Sequence, residues 1–310
     1  MPQNHHVRAP EITDPSTGDV VAHPDIFISP PTKQPHKQTF VILHGRGDSA
    51  SNFATGFMGI LDFTVAATDS DGKLIEIPGV EYDSITLRKA FPHTRFVFPE
   101  ARERPVLGSK SPEWFETNSF EQSVAGDEIQ NEGIRETTML VHALLRQEID
   151  AVGAPNVFLG GLSQGCASSL ISLLLWDGEP LGAAFGMCGW LPMGTPLSEI
   201  LNIDASNQQD DTEAPILKAC QSALNYLRDE LEFVDNPGKA DSKVCAFWKT
   251  PIYLSHGDKD YLVDLNLGKA AADCLVKFNA RVEWRLEKGQ VHWYSMQMLA
   301  DIVRLVKDEP

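Results

Sequence analysis

The chain has 310 residues, of which 42% are hydrophobic and 22% are charged, and its formal net charge at pH 7 is −17. These proportions are ordinary for a globular protein with a sizeable core. The negative charge argues against nucleic acid or an anionic membrane as a partner, because phosphates would be repelled. No apolar run reaches the length of about 18 residues that a membrane-spanning helix requires, so no integral association with a membrane is expected.

The amino terminus and the cysteines both favour a cytoplasmic protein. Residues 1–24 are polar, contain prolines and lack the apolar segment of a secretory signal, so we predict a flexible tail there. The five cysteines are widely spaced and form no C-x-x-C pair, which fits neither a disulfide framework nor a zinc ribbon. Free thiols in a reducing compartment are the expectation.

Strands and helices are predicted to alternate along the rest of the chain. Short runs rich in β-branched and aromatic residues predict strands at 25–29, 38–43, 95–98, 156–159, 183–187, 251–255 and 282–286. Apolar residues at helical spacing predict helices within 133–149, 265–280 and 294–309. This order predicts one α/β domain over residues 25–310, with a mostly parallel central sheet flanked by helices. Ligands of such sheets bind beyond the carboxyl ends of the strands.

Two segments interrupt the alternation, and we interpret both as insertions in the single domain. Residues 62–90 contain a pattern typical of a β-hairpin that turns at Asp71 and Gly72. Residues 196–249 contain a further amphipathic helix, over residues 215–231, with polar connections on both sides.

The stretch GLSQG at residues 161–165 matches the pattern G-x-S-x-G. A predicted strand enters it and a predicted helix leaves it, which is the setting of a nucleophile elbow. The serine of such an elbow lies in a strained turn, and small neighbours are required because a side chain there would crowd it. The alternative is a glycine-rich turn in which Ser163 has no chemical role.

A serine nucleophile needs a histidine base that is oriented by a carboxylate. After Ser163 the chain contains His256 and His292. In α/β-hydrolases the chain order is serine, acid, histidine, so His292 is the predicted base and Asp260 the predicted acid. We prefer Asp260 to Asp258, which is better placed to hold the turn by bonding backbone amides, and we expect His256 to be a structural residue of that turn.

Acyl transfer also requires hydrogen-bond donors for the developing oxyanion. The backbone N–H of Gln164, directly after the nucleophile, is one predicted donor. The stretch FVILHGRGDSASNF provides a second loop, in which a strand runs into glycines that allow the backbone to approach a substrate closely. We assign the second donor to the backbone N–H of Arg46.

These residues together resemble the phospholipase/carboxylesterase family, the acyl-protein thioesterase branch of α/β-hydrolases. The matching stretches are VILHGRGDSASNF, RPV followed by EWFE, GIRETTMLVHALLRQEI, VFLGGLSQGCASSL, CGWLPM, IYLSHGDKDYLV and VHW. They occur in the family's order and cover roughly residues 38–195 and 250–308. The resemblance implies an α/β-hydrolase fold in which Ser163, Asp260 and His292 form the catalytic triad.

The resemblance also implies a hydrophobic acyl groove with Trp114, Trp190 and Leu191 near it, although plain packing would equally account for the tryptophans. Arg46 departs from the family pattern because members commonly carry an apolar residue there. Its side chain is expected to contact a substrate carboxylate or Asp48.

Three further departures concern the surroundings of the predicted site. Cys166 replaces a usual glycine, and Trp293 and Tyr294 follow His292 where the family often has a small residue. Both insertions exceed what a compact thioesterase carries. The segment at 196–249 is either a lid over the active site or a surface element packed by its apolar stripe.

The predicted function is hydrolysis of a carboxylic ester or thioester through an acyl-enzyme, without a metal or an organic cofactor. The substrate would be an ester or thioester, such as an acylated protein or a lipid, and the protein would be a monomer or a homodimer. Three alternatives stay open: an esterase for a small or secondary-metabolite ester, acyl transfer to an acceptor other than water, and a non-catalytic binding module on the same fold.

Overall fold

The computed structural model describes residues 3–15, 17–59, 86–106, 109–206, 213–233 and 245–308 of the protein. The strands in these residues are β1 (His5–Val7), β2 (Ile12–Thr13), β3 (Val20–Val21), β4 (Ile26–Ser29), β5 (Gln38–Leu43), β6 (Thr94–Phe98), β7 (Glu103–Val106), β8 (Ser109–Pro112), β9 (Val157–Leu162), β10 (Ala183–Met187), β11 (Ile252–Gly257) and β12 (Val282–Glu287). The hairpin predicted at Asp71 and Gly72 lies outside the described residues.

The α-helices in the same residues are α1 (Ala50–Gly59), α2 (Leu87–Ala90), α3 (Phe120–Ala125), α4 (Asn131–Val152), α5 (Gln164–Leu174), α6 (Gly194–Ser206), α7 (Glu213–Glu230), α8 (Leu265–Lys277) and α9 (Met296–Asp308). The amphipathic patterns at 133–149, 215–231, 265–280 and 294–309 therefore correspond to α4, α7, α8 and α9, with boundaries that differ by a few residues at the ends.

The central sheet has the strand order β1-β4-β6-β5-β9-β10-β11-β12. The six strands from β6 to β12 in this order pair in parallel, whereas β4 and β1 extend one edge in antiparallel pairing. Each of the seven runs predicted as strands is a strand of this sheet. The prediction of an α/β fold with a mostly parallel sheet flanked by helices is confirmed.

Helices cover the sheet on both faces. Successive residues of β5 show this, because Val41 belongs to the core that α4, α5 and α8 cover, whereas Phe40 and Ile42 belong to the core that α1 and α9 cover. All three side chains are at most 1% exposed. Burial on both faces explains why these strands appear in the sequence as continuous apolar runs.

The prediction of a flexible tail over residues 1–24 is wrong for the described part of that stretch. β1 pairs with β4 at the edge of the central sheet, and β2 pairs with β3. Ala9 and Ile12 belong to the hydrophobic core. The Asp14 carboxylate accepts a hydrogen bond from Arg135 Nε on α4 at 3.0 Å, and both side chains are at most 10% exposed. Strands of two or three residues are too short to show a periodic pattern, so the composition of the stretch misled the prediction.

The second insertion packs against the main domain in the part that the structure describes. α6 lies between α7 and α8. On α7, Cys220 and Leu227 are fully buried, although Ile216 near the start of the helix is 43% exposed. The side chain of Asn131, at the start of α4, donates to the carbonyl of Glu230 at 2.9 Å. The two interpretations of this segment, a lid and a packed surface element, both stay predictions.

Candidate active site

The turn between β9 and α5 places Ser163 in a strained conformation, with φ 57° and ψ −121°. A Cβ atom on Gly161 would lie 2.4 Å from the carbonyl carbon of Gly165. A Cβ atom on Gly165 would lie 2.3 Å from the carbonyl oxygen of Leu43. Both contacts are with backbone, which cannot move aside, so the turn requires glycine at both positions. The strand–turn–helix setting predicted for GLSQG is confirmed.

Three side chains from separate loops form one hydrogen-bonded chain beside this turn. Ser163 Oγ lies 2.9 Å from His292 Nε2, and His292 Nδ1 lies 2.8 Å from Asp260 Oδ2. The three residues follow β9, β12 and β11, so they meet at the carboxyl ends of parallel strands. Because His292 Nδ1 faces a carboxylate, it carries the ring hydrogen. Nε2 is then left to accept the proton of the serine hydroxyl.

Both carboxylate oxygens of Asp260 accept hydrogen bonds. Oδ1 accepts from the backbone N–H groups of Leu262 and Val263, each at 2.9 Å. Oδ2 accepts from His292 Nδ1 at 2.8 Å, and His256 Nε2 lies 3.0 Å from the same oxygen. Burial by itself would raise the pKa of Asp260, but the hydrogen bonds from His256, His292 and Val263 hold it well below its ordinary value. Asp260 is therefore ionised in neutral solution.

Asp260, rather than Asp258, is the carboxylate that contacts His292. Asp258 Oδ1 accepts the backbone N–H of Gly289 at 2.6 Å, so it joins its own turn to the turn after β12. The expectation that Asp258 bonds a backbone amide is confirmed. His256 has no exposed side-chain surface and contacts the acid directly.

The loop after β5 lies against Ser163. A Cβ atom on Gly45 would be 3.5 Å from the Cβ of Ser163. His44 is buried beneath this loop, where its Nε2 accepts the backbone N–H of Ala101 at 3.1 Å, so Nδ1 carries the hydrogen and donates to the Gly45 carbonyl at 2.8 Å. Burial lowers the pKa of His44. A neutral imidazole therefore supports the loop that contains Arg46.

The Arg46 side chain forms an ion pair with Glu113 that sequence analysis missed. Nε of Arg46 lies 2.6 Å from Oε1 of Glu113, and the two side chains are 38% and 2% exposed. Asp48, the expected intramolecular partner, instead accepts the backbone N–H of Ser49 at 2.8 Å. Burial raises the pKa of Glu113, and the hydrogen bond from Arg46 offsets part of that rise. The pair attaches the loop after β5 to the segment that begins at Glu113.

Residues 113–115 also hold Gln164, so one segment contacts both predicted oxyanion residues. The side-chain oxygen of Gln164 accepts the backbone N–H of Trp114 at 2.9 Å, and its amide nitrogen donates to the carbonyl of Phe115 at 2.7 Å. The Trp114 indole N–H donates to the carbonyl of His44 at 2.8 Å. These contacts span 49 to 70 residues of sequence, and no local pattern indicates them.

The three residues expected near an acyl groove are almost completely buried. Trp114 is 2%, Trp190 0% and Leu191 1% exposed. The Trp190 indole N–H donates to the hydroxyl of Ser123 at 3.0 Å, and its ring packs edge-on against Phe120 with 4.7 Å between centroids. Packing in the core accounts for these contacts.

Exposed apolar side chains instead flank the acid and the histidine. We call Tyr261, Leu262, Val291 and Trp293 the apolar rim; they are 76%, 52%, 45% and 40% exposed. The indole of Trp293 contacts Phe53 of α1 edge-on, with 6.5 Å between centroids. Large apolar groups next to polar catalytic-type side chains are typical of a binding surface.

Cys166, which departs from the family pattern, is accommodated by two glycines. A Cβ atom on Gly186 would lie 2.3 Å from the Cys166 sulfur, and one on Gly189 would lie 2.5 Å from it. Burial raises the pKa of the thiol, so Cys166 is a space-filling neutral group on α5.

Comparison with known proteins identifies relatives along most of the chain. It is 25% identical to acyl-protein thioesterase 1 of Yarrowia lipolytica over 287 residues, which cover 90% of this chain and 94% of that protein. It is 27% identical to carboxylesterase SOBER1 of Arabidopsis thaliana over 216 residues, which cover 68% of this chain and 75% of that protein.

Solved structures share the fold. The crystal structure of Arabidopsis thaliana SOBER1 matches with a TM-score of 0.55 at 24% identity and covers 88% of this chain and 99% of that chain. The Zea mays acyl-protein thioesterase 2 structure matches with a TM-score of 0.59 at 19% identity, over 92% of this chain and 98% of that chain. The family model described as phospholipase/carboxylesterase matches residues 81–209 and 234–308, which is more than half of the chain. The resemblance inferred from the motifs is thus confirmed, and the chain belongs to the phospholipase/carboxylesterase family.

Proposed function

We propose that the protein is a serine hydrolase that cleaves carboxylic ester or thioester bonds through an acyl-enzyme. The observation that carries the proposal is the unbroken hydrogen-bonded chain from Ser163 through His292 to Asp260. Membership of the family supports hydrolysis. Relatives named acyl-protein thioesterase and carboxylesterase support ester and thioester bonds as the targets.

The first half of the reaction forms the acyl-enzyme. His292 Nε2 takes the proton of Ser163 as the serine oxygen attacks the carbonyl carbon, and the Asp260 carboxylate stabilises the resulting imidazolium. The former carbonyl oxygen becomes negative and accepts hydrogen bonds from the backbone N–H groups of Arg46 and Gln164. When the tetrahedral intermediate collapses, His292 passes the proton to the leaving alcohol or thiol.

The second half releases the acid. His292 now takes a proton from water, the hydroxide attacks the acyl carbonyl, and the proton returns to Ser163 as its oxygen leaves. The scheme uses no metal or organic cofactor. The braced positions of Arg46 and Gln164 support it, because donors that do not reorganise stabilise an oxyanion most effectively.

The substrate is proposed to have an apolar acyl or leaving group, as in an acylated protein or a lipid. The apolar rim supports this choice, since four large apolar side chains remain exposed around Asp260 and His292. The burial of Trp114, Trp190 and Leu191 favours a second candidate, an esterase for a short acyl group, because these side chains leave little surface to line a deep groove.

The proposed setting is the cytoplasm, as a monomer or a homodimer. All five cysteines are free thiols, as expected for a reducing compartment. None of the helices in the described part of the chain combines the length and apolarity that crossing a membrane requires.

A hydrolysis panel tests the proposal. We expect wild-type protein to hydrolyse p-nitrophenyl esters from acetyl to palmitoyl or a palmitoyl-thioester peptide, and Ser163→Ala to lose about a thousandfold or more in kcat because its nucleophile is gone. A fluorophosphonate probe should label the wild type and not the variant. Activity that rises with chain length supports the acylated substrate, whereas a preference for acetyl with an untouched thioester supports the small-ester esterase.

The panel also contains the outcomes that contradict the proposal. Equal activity in wild type and Ser163→Ala would place the chemistry elsewhere. An inert, unlabelled wild type that still binds the esters would indicate a binding module. Appearance of transfer products when alcohols or amines are added would indicate an acyltransferase instead of a hydrolase.

A further inference from the structure

His256 lies against the acid, in a contact that the proposed reaction does not yet use. It lies on β11 with no exposed side-chain surface, and its Nε2 is 3.0 Å from Asp260 Oδ2. The same oxygen is 2.8 Å from Nδ1 of His292. The carbonyl oxygen of Val263 is also 3.0 Å from His256 Nε2. Because both neighbours of Nε2 are acceptors, this nitrogen carries the hydrogen, which the Val263 carbonyl accepts and the Asp260 oxygen shares.

The surrounding elements fix the orientation of the His256 ring. A Cβ atom on Gly268 of α8 would lie 2.3 Å from its Nδ1, so only glycine leaves room for the ring there. The indole of Trp284 on β12 lies on another side, with 6.3 Å between centroids. A cavity lined by His256, Gly268 and Trp284 has a volume of about 10 Å³, which is too small for an organic ligand.

The two nitrogens of the His256 ring have different surroundings. Its Nδ1 is buried and makes no hydrogen bond with any of the residues that the structure describes. The hydrogen bonds of the ring are all made by Nε2, which faces the acid and the loop after it.

We infer that His256 is a positioning residue for the hydrolysis proposed above, on which this inference rests: its Nε2–H orients the Asp260 carboxylate toward His292. Oδ1 is held by two backbone N–H groups, and His256 fixes the other oxygen, so the carboxylate plane is defined on both sides. The donor also withdraws charge from Oδ2 and so moderates how strongly Asp260 stabilises a protonated His292.

Among the residues that the structure describes, few other titratable groups face the Asp260–His292 pair from the packed elements. β10 is followed by Cys188, whose sulfur lies within 4.8 Å of an Asp260 oxygen and a His292 nitrogen. Burial raises the pKa of Cys188 to about 12, so the thiol is neutral over the working pH range. Ser163 faces the other nitrogen of His292, while α8 and β12 present Gly268 and Trp284, which do not titrate.

The test compares His256→Asn with His256→Gln in the full chain. The amide nitrogen of glutamine can reach the place of Nε2, whereas asparagine is one methylene too short. We expect His256→Asn to lower kcat about tenfold or more with little change in KM, since a hydrogen bond to a charged group is lost. We expect His256→Gln to stay within about threefold of the wild type.

The pH profile of kcat/KM separates positioning from mere packing. Without the donor, Oδ2 holds more charge and stabilises the protonated form of His292, so the base is freed only at higher pH. The acid limb of the His256→Asn profile should therefore move to higher pH by about half a pH unit or more. The acid limb of the His256→Gln profile should coincide with that of the wild type. Thermal unfolding of both variants checks folding, and His256→Leu replaces the asparagine variant if the latter does not fold.

The inference would be overturned if both variants lost the same factor in kcat while the acid limbs of their pH profiles stayed at the wild-type position, because His256 would then be a packing residue. Wild-type kinetics in His256→Asn would overturn it as well. Failure of the proposed function has a different signature, because the wild type would then be inert or Ser163→Ala would remain as active as the wild type.

Discussion

The carboxylates of Glu113 and Asp260 are buried in this site, and each has a basic partner. Glu113 is 2% exposed and meets Arg46, and Asp260 has no exposed side-chain surface and meets two histidines. The sequence indicated Asp260, because it lies between Ser163 and His292 in the order serine, acid, histidine that α/β-hydrolases share. Glu113 lies in the stretch EWFE, but nothing in that stretch indicated its ion pair, because Arg46 is 67 residues away in the sequence. Chemistry that follows a family pattern is thus predictable, whereas its supporting contacts depend on tertiary packing.

Substitution of Arg46 by methionine should destabilise the protein. Arg46→Met leaves the carboxylate of Glu113 buried without its partner, and we expect the free energy of unfolding to fall by about 1–3 kcal/mol. The loss should be smaller than for a fully buried pair because the Arg46 side chain is 38% exposed. Urea unfolding measures the change.

The double variant Arg46→Met with Glu113→Gln is the matched control, since it removes the buried charge as well. It should recover most of the stability. A single variant as stable as the wild type would mean that the ion pair does not hold the loop after β5.

At the scale of elements, strands that are buried on both faces were predictable and short polar strands were not. β5 and β10 have the predicted bounds because their apolar runs end at turn residues. β7 and β8 have the sequences ERPV and SKSP and pair with each other. The loop after β5 supports β8, because the backbone N–H of Gly47 donates to the carbonyl of Pro112 at 2.8 Å. No apolar period exists in either strand.

The turn from β9 to α5 should tolerate no side chain at Gly165. Gly165→Ala would place a Cβ atom 2.3 Å from the carbonyl oxygen of Leu43, so β5 and α5 must separate. We expect a loss of about 3 kcal/mol in unfolding free energy, together with loss of esterase activity because the loop after β5 moves away from Ser163. Unfolding and p-nitrophenyl ester assays check both.

Gly194→Ala is the matched control, because its Cβ atom would come no closer than 3.5 Å to Leu191. This variant should unfold like the wild type. Equal stability of the two alanine variants would show that β5 and α5 can adjust to a methyl group at the turn.

Over the whole molecule, side-chain contacts join segments that are far apart in the sequence, and local sequence patterns do not predict such contacts by themselves. Ser163 meets His292 across 129 residues, and Asp14 meets Arg135 across 121. The first contact was predictable since α/β-hydrolases share a chain order. The second was not, because an aspartate in a polar stretch carries no signal that its partner is a buried arginine in α4. Composition therefore assigned residues 1–24 to a tail, although β1 extends the sheet.

Removal of residues 1–24 should destabilise the whole domain. The truncation uncovers the edge strand β4, removes Ala9 and Ile12 from the core and leaves Arg135 buried without Asp14. Breaking a buried ion pair by removing one partner costs about 3–5 kcal/mol, so we expect the thermal midpoint to fall by about 5 °C or more. Calorimetry measures the shift.

Removal of residues 1–4 alone is the control, because it stops before β1 and should leave the midpoint unchanged. Asp14→Ala should reproduce part of the loss in the full chain, since it leaves Arg135 without that partner while keeping every strand. A 1–24 truncation with the wild-type midpoint would instead restore the tail predicted from composition. We therefore expect the thermal midpoint to be highest for the 1–4 truncation, lower for Asp14→Ala and lowest for the 1–24 truncation. This order would show that the first strands belong to the domain and that the edge of the sheet begins at β1.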